Sequence, residues 1–330
     1  MNFRAFVVQE NEGKFQGSIE KKNLDFLPQK NLLINVKYSS LNYKDALSAV
    51  GNKGVTRNYP HIPGVDAAGI VVESKSSDFS EGDEVLVTGF EMGSNSFGGF
   101  SEYLRVPADW ALKLPNNLSL RESMIYGTAG FTAALSVYKI EKVTSNAKGD
   151  EVLVTGASGG VGSLSIAILK RSGYKNITAA TGKLNQINFL KKIGADNVID
   201  RKFLKDESKR PLLHSKWGNA VDVVGGDILE YIVRSTKEGG AVASCGLVSS
   251  NSLNLSVFPF ILRGVSLLGI DSAHCKMEMR KEIWNKMANE WKVESLDMLC
   301  KEIAMDELDD KIDEILKGKM IGRVLVNMDK

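Results

Sequence analysis

Val152, Leu153 and Val154 lead into Thr155-Gly156-Ala157-Ser158-Gly159-Gly160-Val161-Gly162, and apolar residues at helical spacing continue through Leu169. A short valine-rich run reads as a buried parallel strand, and the run beyond the glycines as a helix. The glycines permit a tight turn and let the backbone approach a ligand closely. A helix that starts there points its unbonded N–H groups and positive dipole end at that ligand, which suits a pyrophosphate. Ala157-x-Gly159-x-x-Gly162 departs from G-x-G-x-x-G only in its first residue. Such glycines also occur in ordinary turns; the strand before and the helix after them point to dinucleotide binding.

The residues after the loop decide which dinucleotide it takes. An NAD site places an acidic side chain at the end of the second strand, about 20 residues past the loop, to hold the ribose hydroxyls. Here that strand ends in Ala179-Ala180-Thr181-Gly182-Lys183, and no Asp or Glu lies between Glu151 and Asp196. A carboxylate repels a 2′-phosphate, whereas a hydroxyl, a backbone N–H and a cation bind one. Thr181, Gly182 and Lys183 are therefore the expected phosphate contacts, with Arg201 as a fourth, and NADPH is the expected cofactor.

Hydride chemistry belongs to the nicotinamide, and the protein supplies position and charge. A catalytic zinc needs about three Cys, His or carboxylate ligands. Before residue 200 the chain has no cysteine and only His61, and Cys245, Cys275 and Cys300 are scattered with no C-x-x-C spacing. No metal site is expected, and alcohol dehydrogenation assisted by zinc is disfavoured. Scattered cysteines also fit a reducing cytoplasm.

These groups need elements to hold them. The 330 residues allow two domains; 43% are hydrophobic and 25% charged, a globular composition. Forty-two basic against 40 acidic residues give a net charge of +2, which offers nothing to nucleic acid or to a membrane surface. The opening Met1 to Phe6 lacks the apolar core of a signal peptide, so a cytoplasmic location is expected. Residues 3–8, 32–38, 68–72, 84–87 and 102–107 read as short strands, 42–47 as a short helix, and 59–69 as extended chain. Residues 126–135, rich in small side chains, are helix-compatible, and 146–150 form a turn into the glycine-loop strand. Beyond it, strands at 176–180, 196–199, 220–224, 241–245 and 265–270 alternate with helical segments, six strands in all. The expected fold is α/β: a β-rich domain over 1–122, completed by about 300–330, and a doubly wound Rossmann domain over 123–299.

Several strings carry a family resemblance. Ser40-Leu41-Asn42-Tyr43-Lys44-Asp45, Ile62-Pro63-Gly64-Val65-Asp66-Ala67-Ala68-Gly69 and Glu81-Gly82-Asp83-Glu84-Val85 resemble the zinc-free quinone oxidoreductase branch of the medium-chain dehydrogenase/reductase superfamily. Gly127-Thr128-Ala129-Gly130-Phe131-Thr132-Ala133, Cys245-Gly246-Leu247 and the stretch from Pro259 to Ser272 are similar to its YhdH/YhfP type, which includes acrylyl-CoA reductases. The resemblance implies a GroES-like first domain and reduction by NADPH of a carbon–carbon double bond conjugated to a carbonyl. It implies that Tyr43 lies against the cofactor, that Ser158, Gly159, Gly160 and Val161 cradle the pyrophosphate, that Leu247, Ile261 and Ser272 contact the nicotinamide half, and that Arg323 is a phosphate or ribose contact. It also implies a homodimer joined edge to edge through the Rossmann sheets.

Without a metal, a developing enolate needs preorganised donors such as backbone N–H groups, the Asn42 amide or a cofactor hydroxyl. Tyr43 or water is the expected proton source, and Asp66 either takes part or orients its loop. Asp45 is as apt to cap or to pair with Lys44 as to react. A short enoyl thioester such as acrylyl-CoA is the expected substrate, with Lys44, Lys53 and Arg57 as candidates for a CoA tail. A broad quinone or enone reductase is the alternative, and a non-enzymatic NADPH-binding protein is a second.

Overall fold

Leu32–Leu41 buries Leu32, Ile34 and Val36, and the first sheet is built around this strand. It pairs antiparallel with Asp66–Ser74 on one side and with Arg323–Asn327 on the other. The β-prone run at the end of the chain thus returns to the sheet started near its beginning. From edge to edge the sheet runs Cys300–Ala304, Arg323–Asn327, Leu32–Leu41, Asp66–Ser74, Glu84–Thr88 and Leu112–Lys113; Tyr103–Val106 also pairs with Leu32–Leu41. Asn2–Asn11 forms a separate hairpin with Lys14–Asn23. That second strand, KFQGSIEKKN, is half exposed and too polar to stand out in the sequence. The coordinates are a computed structural model and describe every residue except Asn146 and Lys209. The turn expected at 146–150 begins on Asn146, which lies outside the described residues.

Beyond residue 150 the apolar runs become six parallel strands. Their order is Asn197–Asp200, Ile177–Thr181, Val152–Val154, Trp217–Asp222, Thr236–Ser244 and Ser266–Gly269, which is 3-2-1-4-5-6 in chain order. This is the doubly wound arrangement, whose topological switch point lies between the first and fourth strands. Leu153, Ala180, Ala220 and Val242 from four of these strands share one buried core with Ile228 and Ile232 of the helix Gly226–Ser235. Each fully buried aliphatic side chain of this kind contributes about 1.5–3 kcal/mol.

The chain forms two compact units: Met1–Thr128, Ala273–Ala288 and Leu299–Lys330 in the first, and Ala129–Ser272 and Asn289–Met298 in the second. The boundaries differ from those read at 122 and 300. The first crossing falls inside the helix Leu120–Val143, just past a kink at Gly127, where φ is 50° and ψ −156°. The helix Met277–Ala288 joins the first unit because Arg280 is built into it. Its buried guanidinium donates to Thr88 O at 2.8 Å, Thr88 Oγ1 at 3.1 Å, Ala273 O at 2.7 Å and Cys275 O at 2.9 Å. It also lies 4.2 Å from the centre of the Phe90 ring, a cation–π contact.

His61 sits inside the first unit, between the rings of Tyr59 and Phe97. Its Nε2 is buried with no hydrogen-bond partner among the described residues. Burial pushes its pKa from 6.5 down to about 4, against a weaker opposing effect of a bond to the Gly93 backbone. The histidine is therefore neutral and structural. The unfolded chain takes up a proton near pH 6.5 and the folded chain only near 4, so stability present above pH 6.5 is lost as pH falls through that window. Going from pH 7.5 to 5 should cost wild type about 2 kcal/mol that a His61→Phe variant does not lose. Guanidinium denaturation at the two pH values measures the difference; equal losses in both proteins would contradict it.

Candidate functional site

The nucleotide-type loop lies in the second unit, at the end of Val152–Val154. Gly156 has φ 55°, and a Cβ on it would stand 2.4 Å from Val223 Cγ2. Gly162 packs against the loop so tightly that a Cβ would meet Gly156 O at 2.4 Å and Ala157 Cα at 2.8 Å. Those contacts are the roles of the tight-turn and close-packing glycines in a dinucleotide fingerprint. The helix Gly160–Arg171 begins at an N-cap glycine, Gly159, so no side chain caps the N–H groups of its first turn. Thr155 Oγ1 donates to Asp222 Oδ1 at 2.6 Å and Gly225 N–H to Asp222 Oδ2 at 2.8 Å, which locks the two strands at the switch point.

The expected phosphate contacts come together one strand over. Thr181 ends its strand, and its Oγ1 lies 3.2 Å from Ser158 Oγ and accepts from Lys183 N–H at 3.0 Å. The exposed Arg201 lies beside exposed Gly182, where a Cβ would stand 2.8 Å from its Nε. Burial lowers the pKa of the half-buried Lys183. Thr181, Gly182, Lys183 and Arg201 thus form one cluster, next to the loop at Ser158. Across the sheet from Thr181 stands Asp200, a carboxylate that a reading along the chain alone overlooks. It is turned onto the chain after it, accepting from Lys202 N–H at 2.9 Å and pairing with Lys202 Nζ at 3.2 Å.

Leu247 and Ile261 are 68% and 72% exposed, so plain core packing does not account for either residue. Ser272, half-buried, accepts from Thr132 Oγ1 at 2.7 Å. Each stands in the second unit with the loop.

The first unit holds a second set of candidate residues. The helix Tyr43–Ala49 starts at Asn42 with a capping box: Asp45 Oδ2 accepts from Asn42 N–H at 2.7 Å. Asp66, wholly buried, accepts at Oδ2 from Ser40 Oγ at 2.6 Å and Asn42 Nδ2 at 2.7 Å. At Oδ1 it accepts from Thr128 N–H at 2.8 Å and Thr128 Oγ1 at 2.6 Å. Arg323, 3% exposed, lies 3.5 Å from Asp66 Oδ2. Its donors go to Ser40 Oγ at 2.7 Å, Asn42 Oδ1 at 3.0 Å, Ile125 O at 3.1 Å and Leu41 O at 3.2 Å.

Three of the expected site residues are joined in one network. The guanidinium of Arg323 is enclosed and its donors go to groups of the first unit. The Asn42 amide nitrogen donates to Asp66, Ser40 O and Asp45, and its oxygen accepts from Arg323. Asp66 is buried and accepts from Ser40, Asn42 and Thr128. Tyr43 differs, being 44% exposed, with no hydrogen bond to its hydroxyl among the described residues. The residue given too little weight in the sequence is Asp45. It is buried, accepts from Val65 N–H at 2.8 Å, and is pushed up to about 7 by burial and, second, by the nearby charge of Asp66. The signal for it was the Asn-x-x-Asp capping spacing before a helix. Of the basic residues considered for a CoA tail, Lys53 is already paired with Glu10 at 2.7 Å and lies over Phe15 and Tyr59. Arg57 is exposed and Lys44 half-buried.

Residues 28–116 match the alcohol dehydrogenase GroES-like domain, and residues 160–289 match a zinc-binding dehydrogenase domain. The chain is similar to yhfP of Bacillus subtilis, solved with NAD bound, at 41% identity and a TM-score of 0.96, covering 99% of this chain and 100% of that one. It is similar to yhdH of Escherichia coli K-12, solved with bound NADPH, at 38% identity and a TM-score of 0.93, covering 98% and 99%. It is also 38% identical over 328 residues to the acrylyl-CoA reductase AcuI of Ruegeria pomeroyi, covering 99% of each. The residues do not fit the zinc of the matched domain description. Among the described residues no group of three or more His, Cys, Asp or Glu could hold a metal ion, and the Asp66 oxygens are occupied by hydrogen-bond donors.

Removing one member of a buried charge pair leaves the other uncompensated. An Arg323→Met variant should lose about 3–5 kcal/mol of stability in urea denaturation. A loss below about 1 kcal/mol would mean that Arg323 is not the counter-charge of Asp66.

Proposed function

Because the chain is an oxidoreductase of the medium-chain dehydrogenase/reductase superfamily, in its zinc-free quinone oxidoreductase branch of YhdH/YhfP type, we infer that it reduces the C=C bond of an α,β-unsaturated carbonyl compound with NADPH. A short enoyl thioester such as acrylyl-CoA is the substrate. The observation that carries the cofactor choice is the cluster of Thr181, Gly182, Lys183 and Arg201 beside the glycine loop, with Asp200, the carboxylate across the sheet, paired to Lys202.

NADPH, when bound, supplies the hydride that adds to the β-carbon of the substrate. The first turn of Gly160–Arg171 and the loop at Ser158 hold its pyrophosphate, and the cationic cluster holds its 2′-phosphate. The exposed Leu247 and Ile261 supply apolar contact to the nicotinamide half. Tyr43 delivers the proton that the α-carbon needs, since its hydroxyl is exposed and uncommitted. The buried network of Asn42, Asp45, Asp66 and Arg323 fixes the start of the helix that carries Tyr43. Asn42 therefore acts by position, and the negative charge on the carbonyl oxygen falls to backbone N–H groups or a cofactor hydroxyl.

The curated acrylyl-CoA reductase at 38% identity over the whole chain supports the thioester reading. A broad quinone or enone reductase, as the branch name suggests, is the second reading. It shares the cofactor residues and differs in needing nothing for a CoA tail. The protein acts as a homodimer in this proposal. Ser266–Gly269 ends the second sheet, and Val257, Phe258, Ile261 and Leu262 before it are exposed apolar side chains.

Turnover of NADPH and NADH with acrylyl-CoA, crotonyl-CoA and 1,4-benzoquinone separates the readings. The highest kcat/KM is expected with NADPH and acrylyl-CoA. Fastest turnover with benzoquinone would favour the second reading, and NADPH binding with no turnover of any acceptor would overturn both. Lys183→Ala and Arg201→Ala should each raise KM for NADPH about tenfold and leave that for NADH within about twofold. Tyr43→Phe should lower kcat on acrylyl-CoA about a hundredfold, the usual scale for losing a general acid; a wild-type kcat would remove Tyr43 from the scheme.

A further inference from the structure

Asp45, Asp66 and Arg323 bring two carboxylates and one guanidinium into a buried cluster. With both acids ionised the cluster carries a net charge of −1 away from water, and one proton neutralises it. Which acid takes that proton is decided by the donors around each. Asp66 receives four hydrogen bonds, from Ser40 and Asn42 at Oδ2 and from the Thr128 N–H and hydroxyl at Oδ1, with Arg323 beside it. A carboxylate offers about four lone-pair positions, so a proton on Asp66 would have to face a donor. Asp45 receives three, all from amide groups: Asn42 N–H, Asn42 Nδ2 at 3.2 Å and Val65 N–H. Among the described residues only Val65 occupies its Oδ1, which leaves a position open there. The burial that pushes Asp45 up to about 7 agrees with this count.

Thr128 supplies half of the Asp66 bonds, and it can do so only because the helix breaks. In a continuous helix the Thr128 N–H would be spent on the carbonyl four residues back. Gly127 (φ 50°) frees it, in a position where a Cβ would stand 2.4 Å from Asp66 Oδ2, 2.6 Å from Ser40 Oγ and 2.8 Å from Arg323 Nη2. Arg323 on its strand is the charged group beside the pair; Cys300 on the neighbouring strand lies against Arg323, and Tyr43 shares the helical turn of Asp45.

We propose that Thr128 is a positioning residue of this site: delivered by the kink at Gly127, it holds Asp66 as the charged partner of Arg323, so that the one proton taken up by the two buried carboxylates sits on Asp45, in the turn that begins with Tyr43. The link to catalysis rests on the function proposed above; the placement of the proton does not. Asn42 connects the two acids through its Nδ2, so the protonation of Asp45 is felt at the start of the Tyr43 helix.

The carbonyl-stretch infrared band of a protonated carboxyl group, followed from about pH 5 to 9 on the whole protein, reads the proton without turnover. Wild type should show such a band with a midpoint near 7, and Asp45→Asn should abolish it. Thr128→Val removes a hydroxyl from a buried charge and should raise the midpoint by about one pH unit. Thr128→Ser keeps the hydroxyl and should keep the wild-type midpoint. A band that survives Asp45→Asn, or an unshifted midpoint in Thr128→Val, overturns the proposal. The pH midpoint of kcat on acrylyl-CoA should follow the same shifts; a shifted band in a protein inactive toward every acceptor supports the proton placement and sinks the reaction.

Discussion

The enclosed charge pair of Arg323 and Asp66 is the interaction from which the first unit's site is hung. Removing two ions from water is costly, and their attraction compensates only when the remaining donors and acceptors are also satisfied. Here the satisfaction comes from four places far apart in the chain. Ser40 and Asn42 arrive at the end of a central strand, Asp66 at the start of its antiparallel neighbour, Thr128 past the kink of a long helix, and Arg323 from the last strand. The pair therefore fixes where these elements end. Each must stop at a point that presents its polar group to the same small volume, and the helix that begins with Tyr43 takes its direction from that requirement.

The second unit presents its loop through backbone rather than through charged side chains. Its loop relies on backbone N–H groups and glycine turns, and the packing of Gly162 on Gly156 leaves no room for any side chain. The cationic side chains stand at the rim, beside Gly182, where water can reach them when no ligand is present. Asp222 is the counterpart of Asp66 in this unit, since a buried carboxylate that accepts from Thr155 and Gly225 holds the switch point. In both units a buried acid is held by donors from elements distant in the chain.

Much of the fold could be read from periodicity. The six parallel strands lie where short apolar runs alternate with helical segments, because a strand covered on both faces must be apolar throughout. The half-exposed strand Lys14–Asn23 carried no such signal, and the kink at Gly127 lay hidden in a run of small, helix-compatible residues. The cluster at Ser158, Thr181, Gly182 and Lys183 was legible because it is local: loop, strand end and following turn each read as short stretches of sequence. Asp200 was not, since it reaches Thr181 only across the sheet. Exposure could not be judged from sequence either, and Leu247 and Ile261, apolar in type, prove to face outward.

By itself the sequence determined the two-unit α/β architecture, the glycine loop, the acid-free turn after it and the poverty of metal ligands, for each depends on residue types at short spacing. Only the tertiary structure brought Asn42, Asp45, Asp66, Thr128 and Arg323 together. A guanidinium in the last strand is equally suited to a phosphate or to a buried carboxylate, and sequence spacing cannot distinguish them. Closure of the sheet brings Arg323 against Ser40, Asn42 and Asp66, where its donors find their partners. The same closure leaves the Tyr43 hydroxyl outside the network, at the exposed start of the helix that the buried charges hold in place.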